Sequence, residues 1–258
     1  MKFGICEDFT FAEAAASAGF DYLEGFANTL AAMSPGDWAA TKKRVADAGI
    51  RVEGCCRLLP WEVRIFDPAW TDAWFADYFA KCFDRVAGLG GSFVVFGNGG
   101  ARRRPPEVPY ADACRRFVEV LRLAGDAAAG RGIKIVVEPL NRGETNFGNG
   151  LAECAVMVAR AAHPAVRLLA DYYHMANVCE PASEIARVGG VAHAHVATKA
   201  KRLMPQMGGA EDYIADFLAA LRECGTPRLS VESHSQDVVG EGKDAVRFLR
   251  GLEAKSLG

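Results

Sequence analysis

The stretch IKIVVEPLNRGETNF, residues 133–147, contains the most informative strand of the chain. It begins with a run of β-branched residues, which is typical of a strand buried on both faces of a parallel sheet. The run stops at Glu138-Pro139, because proline lacks the N–H group that a central strand donates to its neighbour. The pattern therefore predicts a strand over residues 133–138 with a carboxylate at its end. Such a carboxylate needs a cation, an arginine or a proton as partner, so Glu138 is either a metal ligand or a salt-bridged strand end.

The same alternation of a short apolar run and an amphipathic segment extends along the whole chain. Strands are predicted at residues 2–6, 22–25, 51–58, 92–97, 133–138, 166–171, 191–197 and 228–233. Helices are predicted at residues 11–18, 38–48, 68–89, 106–129, 151–162, 181–188, 212–224 and 242–252. Eight strands alternating with eight helices imply parallel pairing through right-handed crossovers. We therefore predict an α/β fold, a (β/α)8 TIM barrel that forms a single domain over residues 1–258 and has the usual size of roughly 250 residues.

Composition and charge exclude several classes of function. The formal net charge of −2 offers no general attraction to nucleic acid or to an anionic membrane. No apolar run approaches the roughly 20 residues of a membrane-spanning helix, and the first residues lack the hydrophobic segment of a signal peptide. The eight cysteines are scattered without a C-x-x-C pair, which favours buried thiols in a reducing compartment. We expect a cytoplasmic protein that acts on a small molecule, with no nucleic-acid or membrane partner.

Polar residues mark the ends of four consecutive predicted strands. They are Glu138 after strand five, Asp171 after strand six, His195 in strand seven and Glu232 after strand eight. The carboxyl ends of the strands form the active face of a TIM barrel. Three acidic groups at this rim would repel one another unless a cation neutralised them. Three carboxylates and one imidazole suit a divalent ion such as Mn2+, Mg2+, Co2+ or Zn2+, so the sequence predicts one metal ion held by these four side chains.

In these residues and their order, the chain resembles the xylose-isomerase-like TIM barrels. The resemblance is to the branch that contains ketose 3-epimerases, hydroxypyruvate isomerases and inosose dehydratases, and it covers essentially the whole chain. The ketose 3-epimerases hold their metal with Glu, Asp, His and Glu at the ends of strands five to eight, which the four residues above match one by one. The resemblance further implies a small sugar or keto-sugar as substrate and assembly into a homodimer or homotetramer.

The resemblance also implies contacts with the substrate. Glu144, six residues after the first metal ligand, and His174, three residues after the aspartate ligand, match two substrate-contacting positions of that branch. A substrate-contacting arginine is expected six residues after the histidine ligand, where this chain has Lys201. A loop longer by one residue would give this role to Arg202, three residues before Pro205, and we prefer Arg202 over Lys201.

The activity implied by the resemblance is that of a sugar or keto-sugar isomerase or epimerase. The metal would chelate a carbonyl and a neighbouring hydroxyl, and Glu138 and Glu232 would act as base and acid through an enediolate. The alternative within the family is an inosose-type dehydratase, a lyase that begins with the same proton abstraction. An endonuclease related to abasic-site repair enzymes would need more histidine ligands and a basic surface. A non-catalytic sugar-binding relative would not require both glutamates.

Several other polar and aromatic residues are candidates for either a functional or a structural role. Glu24 ends strand two and either contacts substrate or forms a structural salt bridge, whereas His193 is interpreted as a core residue or a support for the site. The three arginines at 102–104 are expected in a solvated loop, with an anion-binding lid as the alternative. Trp61 forms either an apolar wall for the sugar or ordinary packing. His234 lies beyond strand eight, where loop residues of this face often line the active site.

Overall fold

The fold is a closed barrel of eight parallel strands, seen in a computed structural model that describes residues 1–206 and 213–255. Each strand pairs in parallel with the next, and the eighth pairs with the first. This arrangement confirms the predicted single-domain (β/α)8 TIM barrel. The strands are β1 Lys2–Cys6, β2 Tyr22–Phe26, β3 Arg51–Cys56, β4 Phe93–Phe96, β5 Lys134–Val137, β6 Val166–Asp171, β7 Val191–Val196 and β8 Arg228–Val231.

The helices form the outer layer of the barrel. All eight predicted helices have a counterpart, although residue 212, the predicted start of one of them, lies outside the described residues. Two six-residue helices that were not predicted, Ala27–Ala32 and Tyr172–Asn177, directly follow β2 and β6. The helices of the described residues are α1 Ala12–Ala18, α2 Ala27–Ala32, α3 Pro35–Ala48, α4 Asp72–Gly88, α5 Tyr110–Ala129, α6 Leu151–Ala161, α7 Tyr172–Asn177, α8 Ser183–Val188, α9 Tyr213–Glu223 and α10 Gly240–Lys255, with a short 3-10 helix, Phe9–Phe11, before α1.

Five of the predicted strands are one or two residues too long at their carboxyl ends, namely those over residues 51–58, 92–97, 133–138, 191–197 and 228–233. β5 ends at Val137 and β8 at Val231, so Glu138 and Glu232 follow the strands directly. Each glutamate still donates one backbone hydrogen bond to the preceding strand, from Glu138 N to Phe96 O (3.3 Å) and from Glu232 N to Val196 O (3.1 Å). The two carboxylates are therefore held in register with the barrel rim.

Aromatic rings fill the interior of the barrel beneath this rim. Tyr22 and Phe93 are buried there, and each occupies the space above a glycine of another strand. A Cβ atom on Gly4 would lie 2.3 Å from the Tyr22 ring, and one on Gly54 would lie 2.4 Å from the Phe93 ring. Because the interior is closed by these rings, any ligand must bind in the upper part of the barrel.

The sequence also led us to expect buried free thiols and no membrane-spanning helix. All eight cysteines, which lie within the described ranges, are free thiols, and six of them are buried. Among residues 1–206 and 213–255, no helix is both long and apolar enough to cross a membrane.

Candidate metal centre and active cavity

Four side chains from β5 to β8 converge at the carboxyl face of the barrel. One donor atom from each lies within 4.8 Å of the other three. His195 Nδ1 is at the centre of the group, 3.1 Å from Glu232 Oε2, 3.5 Å from Glu138 Oε1 and 3.9 Å from Asp171 Oδ2. The structure therefore brings together all four predicted metal ligands, Glu138, Asp171, His195 and Glu232, which we call the carboxylate cluster.

Local features of the chain place two of these carboxylates. Asp171 is the N-cap of α7, and its Oδ1 accepts the backbone N–H of His174 at 3.0 Å. This bond leaves the other oxygen of Asp171 directed towards His195. Glu138 owes its space to Gly97 after β4, because a Cβ atom there would lie 1.6 Å from Glu138 Oε2. Any other residue at position 97 would displace the Glu138 carboxylate.

His195 is held by a carboxylate whose role the sequence left open. Glu24 is fully buried, and its Oε1 lies 3.0 Å from His195 Nε2. Its Oε2 pairs with His193 Nε2 at 2.8 Å and accepts a hydrogen bond from Ser230 at 2.5 Å. Glu24 is therefore a structural ion-pair partner rather than a substrate contact, and His193 supports it. A carboxylate bonded to the far nitrogen fixes the ring orientation and the tautomer of a metal-binding histidine.

The charges in this network favour a cation at the carboxylate cluster. Burial would raise the pKa of Glu24, but His195 and His193 together lower this pKa below its ordinary range. Burial would lower the pKa of His195, but Glu24 and the neighbouring glutamates raise it well above its usual value. For Glu138, burial and the charge of Glu232 both raise the pKa. Positive charge is therefore strongly stabilised at the point where the carboxylates meet.

Two buried polar atoms at the cluster lack a hydrogen-bond partner among the described residues. They are Glu138 Oε1 and His174 Nε2, which lie 3.7 Å apart. His174 Nδ1 accepts the backbone N–H of Asn141 at 3.0 Å, so the ring proton is on Nε2 and points to Glu138. A buried polar atom that remains unpaired costs about 1–3 kcal/mol. The orphaned carboxylate oxygen and the oxygen-rich donor set both fit a divalent metal ion.

Arg202 and Lys201, the two candidates for the substrate-contacting cation, differ in their surroundings. The Arg202 guanidinium donates to Glu232 Oε2 at 2.8 Å and to Glu144 Oε1 at 3.2 Å, and it lies over the Tyr173 ring at 4.7 Å. Lys201 is exposed. Both residues have positive φ, 65° for Lys201 and 52° for Arg202, a conformation that is uncommon outside glycine. This strained turn directs Arg202 towards the cluster, while the preference for Arg202 as the substrate contact stays a prediction.

This difference gives a matched pair of variants. We expect Arg202→Met to lower kcat/KM about 10–100-fold, because it would remove one charge-assisted hydrogen bond to the substrate, of the kind worth about 1.5–3 kcal/mol. Lys201→Met, one residue away and on the surface, is expected to change kcat/KM less than twofold. Steady-state kinetics on the metal-loaded proteins measure both values. A larger loss in Lys201→Met than in Arg202→Met would show that Lys201, rather than Arg202, is the substrate-contacting residue.

The Glu24 network leads to a prediction on metal affinity. Loss of a carboxylate that orients a metal-binding histidine typically costs 10–100-fold in metal affinity, and we expect a loss of about this size for Mn2+ in Glu24→Gln. Glu53→Gln is the control, since Glu53 is also a strand carboxylate but is half-buried and pairs with Arg228 at the amino-terminal ends of the strands. Calorimetric titration with Mn2+ compares the two variants. Equal affinities would contradict the positioning role of Glu24.

The three arginines before Pro105 differ from the expectation of a solvated loop. Arg102 is fully buried and donates from Nη2 to the backbone oxygen of Glu138 at 2.8 Å. Arg103 donates from Nη2 to the backbone oxygen of Glu144 at 2.9 Å. Both side chains therefore attach the loop after β4 to the segment that carries the two glutamates. The prediction of a solvated loop is wrong for Arg102.

A cavity of about 610 Å³ opens above the carboxylate cluster. Glu138, Glu144, Arg202 and Glu232 line its side near β5 to β8. Trp61 and His234 line it as well, so both of these residues border the space in which a ligand would bind. The cavity contains the acidic, cationic and aromatic groups that bind polar small molecules.

Fold and site together define a TIM barrel with a carboxylate–imidazole centre at its carboxyl face. Residues 12–252 match the family model described as xylose isomerase-like TIM barrel. The chain belongs to this family. Among curated proteins, none matches the chain in sequence.

Several solved structures share the fold. A D-psicose 3-epimerase in the presence of D-fructose is 23% identical over 98% of this chain and 99% of that chain, with a TM-score of 0.81. D-allulose 3-epimerase from Methylomonas sp. is 22% identical over 98% of both chains, with a TM-score of 0.82. 3-Keto-D-glucoside 4-epimerase from E. coli is 20% identical over 97% of this chain and 99% of that chain, with a TM-score of 0.80. At these identities the likeness establishes the fold.

Proposed function

We propose that the chain is a divalent-metal-dependent isomerase or epimerase of a small sugar or keto-sugar. The observation that carries the proposal is the convergence of three carboxylates and one imidazole, two of whose members, Glu138 and Glu232, also border the cavity. The similarity to epimerases of psicose, allulose and a 3-keto-glucoside supports the reaction class. Glu138, Asp171, His195 and Glu232 would hold the ion, with Mn2+, Mg2+, Co2+ and Zn2+ as the candidates.

Each residue of the site has a chemical role in this proposal. A bound divalent ion would supply Lewis acidity that makes the C–H group beside a substrate carbonyl more acidic. Glu138 and Glu232 would serve as the base that removes this proton and the acid that returns it. Both glutamates line the same cavity, which supports their action on one ligand.

The remaining polar groups would orient the substrate. His174 Nε2 carries a proton that has no protein acceptor among the described residues and would donate to a substrate oxygen. Arg202 would donate to another substrate oxygen, and Glu144 would accept from a hydroxyl group. Fixing a substrate in this way contributes to the rate by removing orientational freedom before the reaction.

The cellular setting is part of the same proposal. Eight free thiols, six of them buried, suit a reducing compartment, and we infer a cytoplasmic enzyme. The homodimer or homotetramer suggested by the sequence resemblance stays a prediction that light scattering of the purified protein would test.

Product analysis tests the reaction class. The Mn2+-loaded protein is incubated with ketoses, hydroxypyruvate and inososes, and the products are separated by chromatography. Conversion of a ketose into its epimer or aldose isomer is the expected result. Formation of a dione with loss of water from an inosose would instead identify the inosose-type dehydratase. Absence of any conversion across the panel would contradict the isomerase proposal.

A further inference from the structure

The cavity has a second side whose chemistry differs from that of the carboxylate cluster. It is lined by residues at the carboxyl ends of β1 to β3, whereas the cluster lies at β5 to β8; these residues are Phe11 after β1, Phe26 at the end of β2, and Arg57 and Trp61 after β3. We call these four residues the aromatic subsite. Trp61 is 70% exposed and Phe11 is 39% exposed, while Arg57 Cζ lies over the Phe26 ring, 3.9 Å from its centroid. The subsite therefore presents several flat surfaces to the cavity.

The Trp61 backbone is fixed although its side chain is exposed. Leu59 is bound at both its N–H and C=O groups by the Asn98 side chain, at 3.1 Å and 3.0 Å. Tyr78 donates to the backbone oxygen of Leu58 at 2.8 Å, and Arg64 donates to that of Trp61 at 2.6 Å. An indole kept in solvent by a loop of this rigidity does not stabilise the core. Large exposed apolar surfaces at a cavity typically mark a binding site.

Phe11 is presented in a similar way. Asp8 caps the 3-10 helix by accepting the backbone N–H of Thr10 at 2.9 Å, and the Asp8 backbone oxygen accepts the N–H of Phe11 at 2.9 Å. These bonds fix the last residue of the short helix at the cavity wall. Phe11 and Trp61 are thus both held by local hydrogen bonds rather than by burial of their rings.

The size of the cavity indicates what the subsite binds. A volume of about 610 Å³ lies in the range of about 300–1,000 Å³ that encloses drug-sized ligands. A single sugar held by the carboxylate cluster, Glu144 and Arg202 would leave the aromatic side unfilled. Aromatic rings stack on flat apolar groups, and a guanidinium plane does the same. The carboxylates of Glu7 and Asp8 also line this side and disfavour an anionic group there.

We propose that the substrate is a keto-glycoside whose neutral, flat aglycone binds in the aromatic subsite while its keto-sugar ring binds at the carboxylate cluster. This inference rests on the proposed function and specifies its substrate class. It assigns Phe11, Phe26, Arg57 and Trp61 to aglycone recognition, with no part in proton transfer. The aglycone contributes binding energy that a free monosaccharide lacks.

A matched pair of substrates tests the proposal. Deuterium incorporation from D2O is followed for a phenyl keto-glucoside and the corresponding methyl keto-glucoside with the Mn2+-loaded protein. We expect kcat/KM to be about tenfold higher for the phenyl glycoside, from stacking and burial of the added ring. Trp61→Ala is expected to raise KM for the phenyl compound about tenfold more than it raises KM for the methyl compound. Tyr213→Ala, a control aromatic that is 72% exposed at a different cavity, is expected to affect neither.

Other results would overturn the inference. They are equal KM values for the two glycosides, an equal effect of Trp61→Ala on both, or dissociation of an oligomer by Trp61→Ala, which would identify Trp61 as a subunit contact. If neither glycoside exchanges deuterium but a free ketose does, the keto-glycoside inference fails and the proposed function stands. If no compound exchanges at all, the proposed function fails and the subsite is tested separately. Quenching of tryptophan fluorescence by phenyl β-glucoside, lost in Trp61→Phe, would then support the subsite, since Trp38, Trp70 and Trp74 pack against the core. Absence of quenching would overturn it.

Discussion

Replacing Glu232 by glutamine is expected to lower kcat/KM by about 10²–10⁴-fold, the range that a positioned acid or base contributes. The Glu232 carboxylate faces the cavity, accepts a hydrogen bond from Arg202 at 2.8 Å and lies 3.1 Å from His195 Nδ1. Glutamine keeps the shape and one oxygen donor but cannot take a proton. Because Glu138 has the complementary role in the proposal, Glu138→Gln is expected to cause a loss of the same order.

The measurement is steady-state kinetics at saturating Mn2+, so that a weakened metal site is not mistaken for a lost base. Glu180→Gln serves as the control, because Glu180 is also a partly buried glutamate but accepts the backbone N–H of Leu151 at the start of α6. Its kcat/KM is expected to stay within a factor of two of the unmodified protein. Normal turnover by Glu232→Gln would show that the assigned proton-transfer role is wrong.

Replacing Asp171 by asparagine is expected to remove most of the thermal stabilisation that Mn2+ provides. A ligand at 100 times its Kd stabilises a protein by about 2.7 kcal/mol, which corresponds to roughly 5–10 °C in Tm for a domain of this size. Asparagine retains the N-cap of α7, because its side-chain oxygen can still accept the His174 N–H that Asp171 binds at 3.0 Å. The variant therefore removes one negative charge from the carboxylate cluster with little disturbance of the helix.

The quantity to compare is the rise in Tm on addition of Mn2+, measured by calorimetry for each protein with and without the ion. Asp126→Asn is the control, since Asp126 pairs with His163 away from the carboxylate cluster. We expect the full Mn2+-induced rise in the control and at most a small one in Asp171→Asn. Rises of equal size in both variants would exclude Asp171 as a ligand.

Much of the site could be predicted from the sequence, because in a barrel the residues that end different strands all lie at the same carboxyl face. A carboxylate that follows a β-branched run reaches the carboxyl face whichever strand it follows. Glu138, Asp171 and Glu232 could therefore be grouped without any knowledge of distances. His195 could be distinguished from His193 only by its nearness to the strand end, and in the structure the two rings contact different oxygens of the Glu24 carboxylate.

The features that could not be predicted from the sequence depend on contacts between distant segments or on very short helices. Glu24 and His195 are 171 residues apart, and no local pattern indicates that they meet inside the barrel. Arg102 belongs to a charged run typical of a solvated loop, yet it is buried because Glu138 offers a backbone oxygen 36 residues away. The helices α2 and α7, with six residues each, are too short to show a helical period.

The central claim is metal-dependent proton transfer beside a substrate carbonyl at the carboxylate cluster. It is tested most directly by proton NMR in D2O with the Mg2+-loaded protein and a panel of ketoses and keto-glycosides. We predict that one C–H signal next to the carbonyl disappears, that a chelator stops the exchange and that added Mg2+ restores it. Exchange that continues unchanged after removal of the metal, or no exchange with any compound of the panel, would contradict the claim.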